Sequence, residues 1–90
     1  MTYQVELTRA AKNALTDLLP EPVAIACWVF IRGPLAENPH RVGKPLRDRL
    51  EVRYSARRGE FRVIYRIFDE RVVVRVIHMA HIAHRRDVYR

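Results

Sequence analysis

Ninety residues carry a formal charge of +7, with 49% hydrophobic and 30% charged side chains. A chain this short makes one small domain and buries only about 60–65% of its unfolded surface, which argues against a large enclosed cofactor pocket. The composition is globular rather than disordered, and the positive excess points to a polyanionic or acidic partner.

Val5 and Leu7 alternate with Gln4 and Glu6, so residues 3–7 read as a first strand. Thr8 is a suitable N-cap for a helix running to Leu19, with Ala11, Ala14, Leu15 and Leu18 on its inner face. Pro20 and Pro22 end that helix and open a second one. The second runs from Pro22 to about Arg32 with Val23, Ala26, Cys27, Phe30 and Ile31 as its core stripe; Gly33-Pro34 should kink or break it, leaving at most one more turn to Glu37. Residues 38–49 are polar, rich in Pro and Gly, and read as irregular. Three strands follow: Leu50–Ala56, Glu60–Phe68, and Arg71 to about Met79, with turns at Arg58-Gly59 and Asp69-Glu70. The order β-α-α-β-β-β predicts an α+β domain with an antiparallel sheet packed on an αα-hairpin.

Cys27, the single cysteine, permits no intrachain disulfide and reads as a small core residue. No signal peptide and no apolar run of membrane-spanning length is read, so a reducing cytoplasmic setting is expected.

The charge is unevenly spread. Residues 1–40 are net −1 and residues 41–90 net +8, almost all of it Arg, which binds phosphate through a planar fork and stacks on bases as Lys does not. Alternation places Phe61, Val63, Tyr65 and Ile67 on one face and Arg62, Ile64, Arg66 and Phe68 on the other. A two-residue turn at Asp69-Glu70 would pair Phe68 with Arg71, Arg66 with Val73, Ile64 with Arg75 and Arg62 with Ile77. Leu50, Val52, Tyr54 and Ala56 should join the apolar face and Glu51, Arg53, Ser55 and Arg57 the other. Arg53, Arg57, Arg62, Arg66 and Arg75 then crowd one face, with only Glu51 to offset them, and a polyanion or acidic partner is expected there.

Residues 78–90 add three histidines, three arginines and a tyrosine. His titrates near neutrality and moves protons, Arg does not serve as a base, and Tyr89 offers a stacking platform for an unpaired base. On the predicted register His78 falls on the apolar face, His81 is ambiguous, and His84 is the best titrating candidate. The period-three spacing of these histidines suits neither a strand face nor an i, i+4 helical pair, and no acidic ligand lies nearby, so a metal is not expected. Tyr65 reads as core, Tyr54 as core or rim, and Trp28, off the helix stripe, as core or partner surface.

Leu18-Leu19-Pro20, Asn38-Pro39, Gly43-Lys44-Pro45-Leu46, Arg58-Gly59 followed by Arg62, and Arg85 followed by Tyr89 occur in an order and spacing that resembles the RelE toxins of the RelE/ParE superfamily along essentially the whole chain. The resemblance implies a bacterial type II toxin that enters the ribosomal A site and cuts mRNA there by 2′-OH attack, without cofactor, leaving a cyclic phosphate. It implies that Arg62 contacts the scissile phosphate, Arg53 lies near the 2′-OH, Tyr89 stacks, and Arg85, or its rival Arg86, is the C-terminal catalytic arginine. Some relatives use a C-terminal histidine, which keeps His84 and His81 in consideration. Ser55 stands where other members have a second lysine, so the identity of the base is open. Arg57, Arg58, Arg66, Arg75, Arg86 and Lys44 are the accompanying candidates for RNA or phosphate contact. The resemblance also implies an acidic antitoxin partner of RelB or Phd/YefM type. A ParE-like DNA gyrase inhibitor and a non-catalytic RNA- or ribosome-binding module remain as alternative readings.

Overall fold

The computed structural model describes residues 2–46 and 51–82. In chain order they form β1 (Gln4–Leu7), α1 (Arg9–Asn13), α2 (Glu21–Phe30), α3 (Pro39–Val42), β2 (Lys44–Leu46), β3 (Arg53–Arg58), β4 (Phe61–Phe68) and β5 (Val73–His81). The α+β class and the helical hairpin are as expected. Of the residues read as irregular, 39–42 form α3 and 44–46 the short strand β2, while 47–49 lie outside the described residues. The sheet has five strands in the order β1-β5-β4-β3-β2. Neighbours from β2 through β5 are antiparallel, whereas β1 runs parallel to β5. No hairpin joins β1 to β5, so their relative direction is set by the long helical connection rather than by a turn.

Thr8 caps α1: its hydroxyl accepts from the Ala11 N–H at 3.2 Å and donates to the Ile77 carbonyl at 2.6 Å, fastening the helix start to β5. A π-helical turn, Ala14–Leu18, continues the helix, closed by Leu19 N–H donating to the Ala14 carbonyl at 2.9 Å. The extra residue in that turn rotates the chain, so Leu19 is buried while Leu18, expected on the inner face, is 69% exposed. A second π-helical turn, Ile31–Leu35, follows α2. Pro34 has no N–H to give to the carbonyl four residues back, and the wide turn accommodates that loss where a break was expected. Ala26, expected in the core stripe, is exposed.

Val23, Cys27, Phe30, Ile31 and Leu35 from the helical layer pack on Val63, Tyr65, Val74, Val76 and Met79 from the sheet. Cys27 is fully buried, and burial pushes its thiol up to about 11. Tyr65 is also fully buried; its hydroxyl donates to the Pro39 carbonyl at 2.6 Å, and burial raises its phenol pKa. Gly43 is required at this point, because a Cβ there would collide with the Tyr65 hydroxyl and lie 3.0 Å from the Ser55 carbonyl oxygen. Tyr54, stacked on Tyr65 with ring centroids 5.6 Å apart, sits at the core rim. Its hydroxyl lies 3.3 Å from His40 Nδ1, and His40 Nε2 lies 2.8 Å from Asp69 Oδ1, which also accepts from the Tyr3 hydroxyl at 2.6 Å. That chain of contacts joins β1, α3, β3 and the turn after β4.

The β3–β4 hairpin turns at Gly59-Glu60, with Gly59 at φ +49° in the first loop position, where glycine costs least. The β4–β5 connection is longer than the two residues expected. Phe68 pairs with Val73 and the loop spans residues 69–72, ending in Val72 at φ +53°. Asp-Glu lacks the glycine that a two-residue turn prefers, and in the four-residue loop the left-handed conformation falls on Val72 instead. The register therefore moves: Arg66 pairs with Arg75, Ile64 with His78 and Arg62 with Ala80.

Candidate nucleic-acid interface

The face of the sheet turned away from the helices is built by alternation along β3, β4 and β5. Val63 and Tyr65 are fully buried on the helix side, so Arg62, Ile64 and Arg66 turn outward. Arg57 pairs with Arg62, Ser55 with Ile64, and Lys44 with Ser55. Arg53, Arg57, Arg62, Arg66 and Arg75 thus share one face, as alternation predicts.

The charges on that face are not equally free. Glu51 reaches Arg53 Nη2 and Arg66 Nη1, each at 2.8 Å. A second acid also serves the face, contrary to the expectation of Glu51 alone: Glu6 of β1 lies 3.2 Å from Arg75 Nε and 3.4 Å from Arg71 Nη2. The parallel pairing of β1 to β5 puts Glu6 beside Arg75. Arg66, Arg71 and Arg75 also stack around Phe68, with guanidinium carbons 4.8–5.1 Å from the ring centroid. Arg57 and Arg62 are different. They face each other across the ladder, as Arg66 and Arg75 also do, but both are exposed and neither makes an ion pair with another described residue. Directly opposed like charges disfavour the bare sheet and favour an anion between them.

Arg58 is not part of this group. It pairs with Phe61, on the core side of the ladder, and its guanidinium lies 4.8 Å over the Phe30 ring. Lys44 is exposed on β2 beside Ser55. Val52, expected on the apolar face, is 56% exposed. His84, Arg85, Arg86 and Tyr89 lie outside the described residues.

His78 occupies the other face from the one alternation predicts. A β-bulge between Ile64 and Tyr65 leaves Ile77 as the extra residue on β5, because Tyr65 pairs with Val76 and Ile64 with His78. The bulge reverses the facing of everything beyond it. His78 becomes exposed on the arginine face and Met79 is buried in its stead. A sign of this is present in the sequence: Arg75 and His78 are polar residues three apart, separated by Val76-Ile77, which breaks period two. His81 stands exposed at the end of β5, with Nε2 3.6 Å from Glu60 Oε1. Among the described residues no group of three His, Cys, Asp or Glu side chains is placed to hold a metal ion.

On the helical side, α1 and α2 enclose an open groove of about 640 Å³ lined mainly by apolar side chains, including Leu15, Leu19, Ile25, Trp28 and Val29. Trp28 is 36% exposed with Arg32 5.6 Å from its ring, which makes it a surface residue rather than core. No helix among the described residues is long and apolar enough to cross a membrane.

No family model matches the chain. It is 51% identical over 78 residues to Toxin RelE of Mycobacterium tuberculosis, covering 87% of this chain and 79% of that protein. It is 43% identical over 90 residues to Toxin RelG of the same organism, covering 100% and 99%. The crystal structure of the toxin–antitoxin complex RelBE2 from M. tuberculosis contains a chain that superposes with a TM-score of 0.84 at 41% identity, over 90% of this chain and 99% of that one. Identity of this extent along nearly the whole sequence, carried on the same fold, places the chain in the RelE family of toxin–antitoxin toxins.

Proposed function

We propose that this protein is a cytoplasmic, metal-independent endonuclease that cuts mRNA in the ribosomal A site and so stops translation. The observation that carries this reading is the exposed Arg57–Arg62 pair, left without an acidic partner among the described residues on a face whose other arginines are held by Glu51 and Glu6. Two unpaired guanidinium forks side by side suit a phosphodiester, and they stabilise the extra charge of a pentacoordinate phosphorus. In this reaction the 2′-oxygen attacks the adjacent phosphorus, a cyclic phosphate forms, and the 5′-oxygen departs. Arg62 holds the scissile phosphate and Arg57 supports its charge. Arg85 and Tyr89, outside the described residues, complete the proposed site as a second phosphate contact and a stacking platform. With so small a basic site and no base among its arginines, the ribosome supplies part of the substrate's orientation.

The relatives' structure is a complex with an antitoxin, and the same kind of partner is proposed here. A segment with an apolar stripe would fill the α1–α2 groove, and its acidic residues would reach the arginine face.

The test is primer extension on a reporter mRNA in a reconstituted translation system, comparing wild type with Arg62→Ala. Codon-phased cuts are expected from wild type and a loss of at least about 100-fold from the variant, in line with removal of a transition-state charge contact. A folded wild type that makes no cuts would reduce the arginine face to a docking surface, and breaks in DNA instead would identify a gyrase poison.

A further inference from the structure

The β-bulge on β5 does more than correct a register. β1 ends at Leu7, opposite Val76, so from Ile77 onward that side of β5 has no strand beside it among the described residues. At that point Ile77 is the unpaired extra residue, and its carbonyl is held at 2.6 Å by the hydroxyl of the α1 cap, Thr8. The next residue, His78, is thereby turned onto the arginine face and exposed. Bulges are found where a strand must re-aim a side chain.

The place to which His78 is re-aimed is specific. Ile64 pairs with Ser55 on one side and with His78 on the other. Arg62 is two residues along β4 on the same face. Ser55 and His78 therefore stand in equivalent diagonal positions to Arg62, at about 7–8 Å between Cα atoms for such neighbours. A serine is a poor proton acceptor, whereas an imidazole near neutral pH is a good one. The charged groups on the face with His78 are Lys44 from β2, Glu51 and, from β3, Arg53 and Arg57, Arg62 and Arg66 from β4, Arg71 from the loop before β5, Arg75 from β5 itself, and Glu6 from β1. None of the cationic ones competes for the proton as a base at neutral pH.

We infer that His78 is the general base of the cleavage reaction, with Thr8 as the positioning residue that fixes the bulge. The inference rests on the endonuclease reading above. In the step, a ring nitrogen of His78 takes the 2′-OH proton, the 2′-oxygen–phosphorus bond forms, the phosphorus–5′-oxygen bond breaks, and the 5′-oxygen receives a proton from water. Arg62 stabilises the phosphorane between these events.

The experiment is single-turnover cleavage of a programmed ribosome by the full chain, followed across pH for wild type, His78→Gln, His78→Lys and Arg62→Ala, with ribosome binding measured in parallel. His78→Gln is expected to cut about 100- to 10,000-fold more slowly, the range for loss of a general acid or base, with ribosome binding retained. The rise of the wild-type rate across the range where an imidazole loses its proton should vanish in His78→Gln. His78→Lys should restore part of the rate with a profile displaced to alkaline pH, an outcome that a merely structural role would not produce. Wild-type rates and an unchanged profile in His78→Gln, with Arg62→Ala inactive, would overturn the role of His78 and leave the nuclease reading standing. A wild type that cuts at no pH would remove both.

Discussion

Asp69 shows how a single side chain can fasten distant parts of a small domain. Its carboxylate accepts from the Tyr3 hydroxyl and lies against His40, so one residue ties the start of β1 and the short helix α3 to the turn after β4. The Tyr3 hydrogen bond is the main cause that holds the Asp69 carboxyl below its ordinary pKa of 3.8, helped by the hydrogen bond and charge of His40. Tyr3 responds in the opposite direction: the same hydrogen bond, with smaller help from desolvation and the Asp69 charge, raises its phenol above 10.0. A carboxylate with a depressed folded pKa contributes stability above its unfolded pKa and loses it as pH falls through the folded value. A phenol with a raised pKa contributes below its unfolded value and loses it as pH rises through the folded one. The stability gap between wild type and Asp69→Asn should therefore narrow as pH falls below about 5 and again as it rises above about 9. Denaturant melts at a series of pH values check this; a gap independent of pH down to pH 2 would show that Asp69 contributes no charge-dependent fastening.

At the scale of elements, the two π-helical turns decide which apolar residues are core. Leu18 and Leu19 are adjacent, equally hydrophobic leucines, and helical periodicity alone selects Leu18 for the interior. The wide turn that ends in the Leu19-to-Ala14 bond reverses the choice. Leu19→Ala should cost about 2–4 kcal/mol and Leu18→Ala less than about 0.5 kcal/mol, as expected for a buried and an exposed leucine. Chemical denaturation of the two variants distinguishes them, and a larger loss from Leu18→Ala than from Leu19→Ala would mean that the helix keeps a regular turn. The same logic separates what was legible in the sequence from what was not. Strands and helices follow from local alternation and capping, so Thr8, the αα-hairpin and the outward turn of Arg53, Arg57, Arg62 and Arg66 were all accessible. Features created by one inserted residue were not. The π turn after Asn13, the four-residue loop after Phe68 and the bulge at Ile77 each depend on how the chain meets a neighbouring element. Local pattern carries no record of that meeting beyond a break in period, such as the one between Arg75 and His78.

For the molecule as a whole, the relevant quantity is not the number of arginines but how many lack an internal acid. The sequence suggests five crowded guanidinium groups with one glutamate, whereas the fold brings Glu6 from the other end of the chain to join Glu51. Arg53, Arg66, Arg71 and Arg75 are thereby committed to carboxylates, while Arg57 and Arg62 are exposed without one among the described residues. A cation already paired within the protein releases few counterions from RNA, and a free one releases about 0.7 per phosphate on a single strand. The salt dependence of RNA binding should therefore identify the working arginines. In binding of a short single-stranded RNA, Arg57→Gln should reduce the slope of log affinity against log salt by about 0.7, whereas Arg75→Gln should leave it nearly unchanged. Each substitution removes the same formal charge, so a model based only on net charge predicts equal effects. Equal slopes for the two variants would favour that simpler model and would mean that Glu6 releases Arg75 when RNA binds.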